Sequence, residues 1–154
     1  MTAPNSIETL DTLLRIGVYG VAVQHGKILL ITQAEGPYAG KLDLPGGGIE
    51  FGETIEEALQ REFLEEVNMT FEKMSVLDNA TDIFNVPKIG ENRPYIFHRI
   101  GLLYKVEDVR PVLESANTLL EYIWIDIDKI PQDNSTPFVT AILNEKIGLL
   151  NNSF

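Results

Sequence analysis

Glu62, Glu65 and Glu66 stand at i, i+3 and i+4. On a helix this spacing sets three carboxylates on one face, about one turn deep. Between Thr54 and Asn68 there are five acids and a single base, Arg61. Like charges at these spacings repel, and acids in a last turn face the negative end of the helix dipole. A solvated acidic face would interleave Lys with Glu. A hard divalent cation, which takes oxygen ligands, reverses the sign of that cost. The pattern therefore points to metal chemistry.

The elements that must position these groups can be read outward from the helix. It opens with a capping box, Thr54 as N-cap and Glu57 at N3. It closes at Asn68, a residue suited to the left-handed exit position. Leu42-Asp43-Leu44 reads as a short strand stopped by Pro45-Gly46-Gly47-Gly48, and Ile49 to Phe51 resumes it. Ser6 to Leu14 fits a short amphipathic helix with Ile7, Leu10 and Leu14 on one stripe. Arg15 to Gln24 and Lys27 to Gln33 read as a hairpin turning at His25-Gly26, and Ala34 to Gly40 as a loop. Further strands are expected within Phe71 to Phe84, Tyr95 to Val106 and Leu119 to Ile127, with a loop at Asn85 to Arg93. Thr136-Pro137 starts a second helix that buries Phe138, Ile142 and Leu143 and stops at Gly148. Mixed strands with few helices indicate a layered α/β or α+β sandwich.

Composition bounds the rest. The 154 residues suit one domain, 1–154, with a real core, and 44% hydrophobic residues is the fraction of a globular protein. No apolar run approaches a membrane span, and the start carries no basic segment followed by an apolar signal core. A cytoplasmic location is expected. With no cysteine there is neither a disulfide framework nor a thiolate site. Twelve Lys and Arg against 23 Asp and Glu give a net charge of −11. That balance lacks the footprint of a duplex nucleic-acid binder. It also requires local cations or bound metal before a polyphosphate can enter.

At this level of detail the chain resembles a Nudix hydrolase. The family box is G-x5-E-x7-R-E-U-x-E-E-x-G-U, with U bulky and apolar; Gly47, Glu53, Arg61, Glu62, Phe63, Glu65, Glu66 and Met69 all fall in place. Asn68 replaces the final glycine, and since both residues tolerate a left-handed exit the site is expected to stay intact. Leu44-Pro45-Gly46-Gly47 resembles the lead-in to the box, and Glu121 to Ile130 the closing strand and turn. The resemblance implies an α/β/α sandwich with a mixed, curved sheet. It implies divalent-metal-dependent hydrolysis, with Mg²⁺ or Mn²⁺, of a diphosphate joining a nucleoside to some X, by water attack at phosphorus. Carried over by position, Glu62, Glu65, Glu66 and the Gly47 carbonyl are the implied metal ligands. Glu65 is the first choice of base and Glu53 the second, with Arg61 holding the carboxylates in place. Glu114 and Glu121 stand as candidates for a base outside the box, although Glu121 also reads as a structural partner in an apolar strand.

Substrate contacts are less determined. Arg15, Lys41 and Arg99 are the cations expected near a phosphate, and Tyr38, Phe84, Tyr95 and Phe97 the rings able to stack on a base. In Tyr95 to Val106, alternation puts His98 with Ile96, Ile100, Leu102 and Tyr104, so a half-buried structural histidine is expected. The expected partner is a nucleotide-type small molecule, without duplex nucleic acid or membrane; self-association into a homodimer stays open. The alternative function is a non-catalytic Nudix-fold binding or regulatory module, which would be expected to lose box carboxylates; this chain keeps them all.

Overall fold

A computed structural model describes residues 10–113 and 119–144. In chain order the strands are β1 (Asp11–Gln24), β2 (Lys27–Thr32), β3 (Leu42–Asp43), β4 (Gly46–Gly48), β5 (Met69–Thr70), β6 (Lys73–Val86), β7 (Tyr95–Glu107), β8 (Arg110–Pro111) and β9 (Tyr122–Asp126). Helix α1 (Ile55–Val67) follows β4, and a second helix, α2, covers 137–144.

β1 organises the sheet. It runs parallel to β7 from Asp11↔Tyr95 to Ala22↔Val106. It pairs antiparallel with β4 at Gly17–Tyr19 and with β2 beyond its turn. That turn, His25-Gly26, has φ of 53° and 74°, the two positive values of a type I′ hairpin. β6 lies antiparallel outside β7, while β2 carries β3 on one side and β9 on the other. β5 and β8 form a separate small ribbon.

Alternation along β1 divides the core into two layers. Val18 and Ala22 meet Ala58, Leu59, Phe63 and Val67 of α1. Tyr19, Val21 and Val23 meet Phe138, Val139, Ile142 and Leu143 of α2. The product is the helix–sheet–helix sandwich expected. Each helix sets a phenylalanine on a glycine of the sheet. A Cβ on Gly20 would lie 2.5 Å from the Phe63 ring, and one on Gly101 2.5 Å from the Phe138 ring. No helix among the described residues is long and apolar enough to cross a membrane.

Four local expectations need correction. Asp11–Leu14 extend β1 rather than a helix, because β7 supplies them with hydrogen-bonding partners; residues 6–9 of that expected helix lie outside the described residues. Gly46–Gly48 do not merely stop a strand but form one, and Ile49–Phe51 do not resume it. β6 starts at Lys73 and runs on to Val86, two residues past the expected end. The last expected strand is only Tyr122–Asp126, followed by a 3-10 turn at Ile127–Lys129. The expected stop at Gly148 lies outside the described residues.

Candidate active site

The helix that carries the carboxylates is fixed at both ends by its own sequence. The Thr54 hydroxyl accepts from the Glu57 N–H at 3.2 Å, and the Glu57 carboxylate accepts from the Thr54 N–H at 2.8 Å. Such a cap contributes about 1 kcal/mol. Asn68 leaves the helix left-handed at φ 53°, ψ 43°, its N–H donating back to Leu64 at 3.2 Å. Asn thus performs the turn for which the box pattern has Gly.

Against this helix lies the glycine strand β4. Gly46 has φ 144°, and a Cβ there would stand 2.2 Å from the Val18 carbonyl oxygen. Its N–H donates to Glu66 Oε2 at 2.9 Å. At Gly47 a Cβ would lie 2.6 Å from Glu62 Oε1. Bare backbone is what allows two carboxylates of α1 to lie against the sheet.

Arg61 gathers the acids on the outer side. Its Nε donates to Glu53 Oε1 at 2.5 Å and its Nη2 to Glu53 Oε2 at 3.1 Å, a bidentate pair. Nη1 reaches Glu62 at 2.9 Å and Glu65 at 3.3 Å, and Nη2 also donates to the Gly48 carbonyl at 3.0 Å. The Arg61 hydrogen bonds hold the Glu53 carboxyl below its ordinary value, and Glu53 above all holds Arg61 firmly charged. The inner carboxyls behave oppositely. Burial raises Glu62 despite Arg61. Burial pushes Glu66 up to about 9, with Glu62, Asp43 and Glu65 adding repulsion that the Gly46 N–H only partly opposes.

Glu62 and Glu66 face a cavity of about 330 Å³ whose lining includes Gly46–Gly48, Arg15, Tyr38, Phe84, Phe97 and Arg99. Of the residues expected to contact substrate, Arg15, Arg99, Tyr38, Phe84 and Phe97 are therefore on it; Lys41 and Tyr95 are not. Arg15 and Arg99 are register partners on β1 and β7 and share this face. Phe84 and Phe97 meet at a tilt of 47° with ring centroids 5.1 Å apart, and Tyr38 meets Phe84 edge-on at 5.2 Å. Tyr95 lines a different hollow near Asp11. Glu53 and Glu65 lie outside the lining, and the Glu65 side chain is half exposed. His98 is half-buried, one strand position from Arg99 and so on the opposite face of the sheet. Glu121 is exposed, its carbonyl accepting from Thr32 N–H at 2.8 Å; Glu114 lies outside the described residues.

Two acids that sequence reasoning passed over, Asp43 and Asp82, stand behind the cavity lining and pair with Arg99. Asp43, fully buried, accepts from Leu44 N–H, Thr136 Oγ1 and Gln33 Nε2, and pairs with Arg99 Nη1 at 3.2 Å. A lone carboxylate between two leucines in a short strand was the available signal. Asp82 accepts from the Tyr38 hydroxyl at 2.5 Å. Burial opposes the Arg99 charge, but Asp43, Tyr19 and Asp82 outweigh it and keep its pKa above the ordinary value.

Among the described residues no three His, Cys, Asp or Glu side chains stand close enough to hold a metal ion as they are. The donors that meet the cavity, two carboxylates and glycine backbone, are all of the hard-oxygen kind. Glu66 is also short of positive charge, since Arg61 spends its hydrogen bonds on Glu53, Glu62, Glu65 and Gly48 and none on Glu66. A hard cation fits this donor set by chemistry and by charge.

Comparison with known proteins gives a family model described as the NUDIX domain, matching residues 12–143. An ADP-ribose pyrophosphatase of Methanocaldococcus jannaschii is 29% identical over 76% of this chain and 64% of its own length. An oxidized purine nucleoside triphosphate hydrolase of Danio rerio is 32% identical over 72% of this chain and 65% of its own. The chain thus spans just under two thirds of the length of each of these relatives. A MutT NUDIX hydrolase crystal structure from Burkholderia pseudomallei superimposes with a TM-score of 0.64 at 25% identity, covering 85% of this chain and 96% of that one.

Proposed function

The chain belongs to the Nudix family, and from that premise we propose that it is a divalent-cation-dependent pyrophosphohydrolase that cleaves the diphosphate of a nucleoside diphosphate linked to X. The observation that carries the reading is the pair Glu62 and Glu66: both line one cavity, and burial raises both. A fold that keeps such a pair without a cation destabilises itself. The ligands proposed are Glu62, Glu65, Glu66 and the Gly47 carbonyl, and the ion Mg²⁺ or Mn²⁺. When bound, the ion neutralises phosphate oxygens and favours ionisation of a water.

The chain's own residues supply the rest. Arg15 makes no hydrogen bond or ion pair with the described residues, yet its charge reaches Glu62. It is the cation proposed to meet the phosphates at the cavity mouth. Arg61 holds Glu53, Glu62 and Glu65 in a fixed relation. Glu65 is the base proposed, ahead of Glu53, because the bidentate Arg61 contact makes Glu53 the weaker proton acceptor. The substrate proposed is a nucleotide, in keeping with the names of the Methanocaldococcus jannaschii and Danio rerio relatives.

The second reading, a binding module, draws on the hold that Arg61 keeps on the outer carboxylates. Hydrolysis in ¹⁸O-water separates the two. The expected result is metal-dependent release of two phosphate-bearing fragments, with label on phosphorus. Label in a sugar hydroxyl, beside an intact nucleoside diphosphate, rules out attack at phosphorus. Absence of turnover on nucleoside triphosphates, nucleotide sugars, dinucleoside polyphosphates and NADH, with either metal, favours the module.

A further inference from the structure

The cavity lining includes a buried guanidinium, two of whose nitrogens find no hydrogen-bond acceptor among the described residues. Arg99 is 7% exposed, and its Nε and Nη2 make no hydrogen bond with the described residues. Its Nη1 is taken by Asp43, and Nη2 stands 3.6 Å from Asp82 Oδ2, an ion pair without a hydrogen bond. Its carbon lies 3.8 Å from the centre of the Phe138 ring and 5.5 Å from that of Tyr38. Tyr19 stands beside it as well, at 5.6 Å, without satisfying either nitrogen. A buried donor left open costs about 1–3 kcal/mol, so two on one side chain call for an acceptor brought from outside.

The chemistry of that acceptor is restricted. Asp43 and Asp82 already set two carboxylates against one guanidinium, so a phosphate would add repulsion and a neutral group would not. Phe84, Phe97 and Tyr38 form the adjoining wall, which suits a flat ring. A carbonyl oxygen has two lone pairs and can accept from both Nε and Nη2. An N–H next to that carbonyl would then meet Asp82, whose carboxylate takes one hydrogen bond from the described residues, that of the Tyr38 hydroxyl at 2.5 Å. A base with a ring nitrogen beside an amino group offers a single lone pair and leaves one arginine donor open.

Resting on the reading that the substrate is a nucleotide, we propose that Arg99 and Asp82 select its base, favouring rings that carry a carbonyl next to an N–H (hypoxanthine, guanine, uracil, thymine) over adenine and cytosine. Tyr38, in the loop after β2, covers the pair and gives up its bond to Asp82 when the base enters. Arg15 then serves the phosphates and Arg99 the base, so two neighbouring cations on one face of the sheet take different parts of the substrate.

Inosine and adenosine monophosphates differ only at this edge, and their binding needs no turnover. Calorimetric titration of the whole chain should show inosine monophosphate binding at least about tenfold more tightly than adenosine monophosphate, with ribose 5-phosphate weakest. Asp82→Asn, on the edge strand, should bring the ratio close to one while circular dichroism and thermal midpoint stay near wild type. Arg99→Lys should do the same. Tyr38→Phe, which frees Asp82, should strengthen inosine monophosphate binding, whereas a merely structural Tyr38 would weaken it. Equal affinities in the wild-type protein, or a ratio that survives Asp82→Asn, overturn the proposal. Equal turnover of inosine and adenosine triphosphates would overturn it while leaving the hydrolase reading intact. A preserved affinity ratio in a protein without turnover does the reverse.

Discussion

Gly47 and Glu62 are separated by less than the room a methyl group needs: a Cβ on Gly47 would lie 2.6 Å from Oε1 and 2.9 Å from Oε2 of the carboxylate. Gly47→Ala is therefore expected to turn Glu62 away from the cavity without touching the core. Activity should fall about ten- to a hundredfold, the scale of disturbing a ligand's support, with the melting temperature little changed. Steady-state kinetics beside calorimetry checks both halves. A large loss of stability would mean that the strand and not the carboxylate had moved.

Glu66→Gln separates stability from catalysis. The substitution keeps the acceptor for the Gly46 N–H and removes a buried carboxyl that, with its pKa at about 9, the folded chain must hold protonated near neutral pH while the unfolded chain ionises it. In metal-free protein near neutral pH it should stabilise the fold, while kcat drops by at least about a hundredfold. Loss of both would show that the carboxylate is structural.

The same group fixes the pH dependence of the metal-free protein. Its folded pKa, about 9, is raised above the ordinary 4.5. Between those values the folded chain keeps a proton the unfolded chain has lost, so stability is fullest at low pH and declines as pH rises. Chelator-treated protein should therefore melt lower at about pH 8 than at about pH 5 as far as this group governs, and Mg²⁺ should restore the difference at the higher pH only. Unchanged melting on adding Mg²⁺ at about pH 8 contradicts a cation at Glu66.

Gly20→Ala tests the packing of α1 independently of chemistry. The new methyl would meet the Phe63 ring at 2.5 Å, an overpacking expected to cost about 1–3 kcal/mol in denaturant titration. Pairing it with Phe63→Leu should recover part of the loss if the clash is the cause.

What was legible in the sequence is what depends on near neighbours. The capping box and the left-handed exit at Asn68 each involve residues within one or two turns and lie as expected; of the three spaced carboxylates, Glu62 and Glu66 face the cavity and Glu65 stands outside it. Asp11–Leu14 were read as helix because the stripe from Ile7 to Leu14 fits one, but their partners are residues of β7 far along the chain. Gly46–Gly48 carry no strand propensity; they are a strand because they pair with Gly17–Tyr19 of β1, and Val18 and Glu62 leave no space there for a Cβ. The Asp82–Arg99 contact follows from the β6–β7 register, where the two residues are directly opposite. No local pattern announces a register.

The parallel pairing of β1 with β7 bears on how the molecule comes into being. Asp11 waits for Tyr95 and Ala22 for Val106, so β1, which pairs with β2 and β4 nearby in the chain, meets β7 only after that later strand has been made. Contacts this distant in sequence slow folding, because the intervening loop must close before any of them rewards it. Arg15 and Arg99 meet by that same pairing. A nascent chain that ended before β7 would therefore have the whole carboxylate helix and no cavity for it to serve.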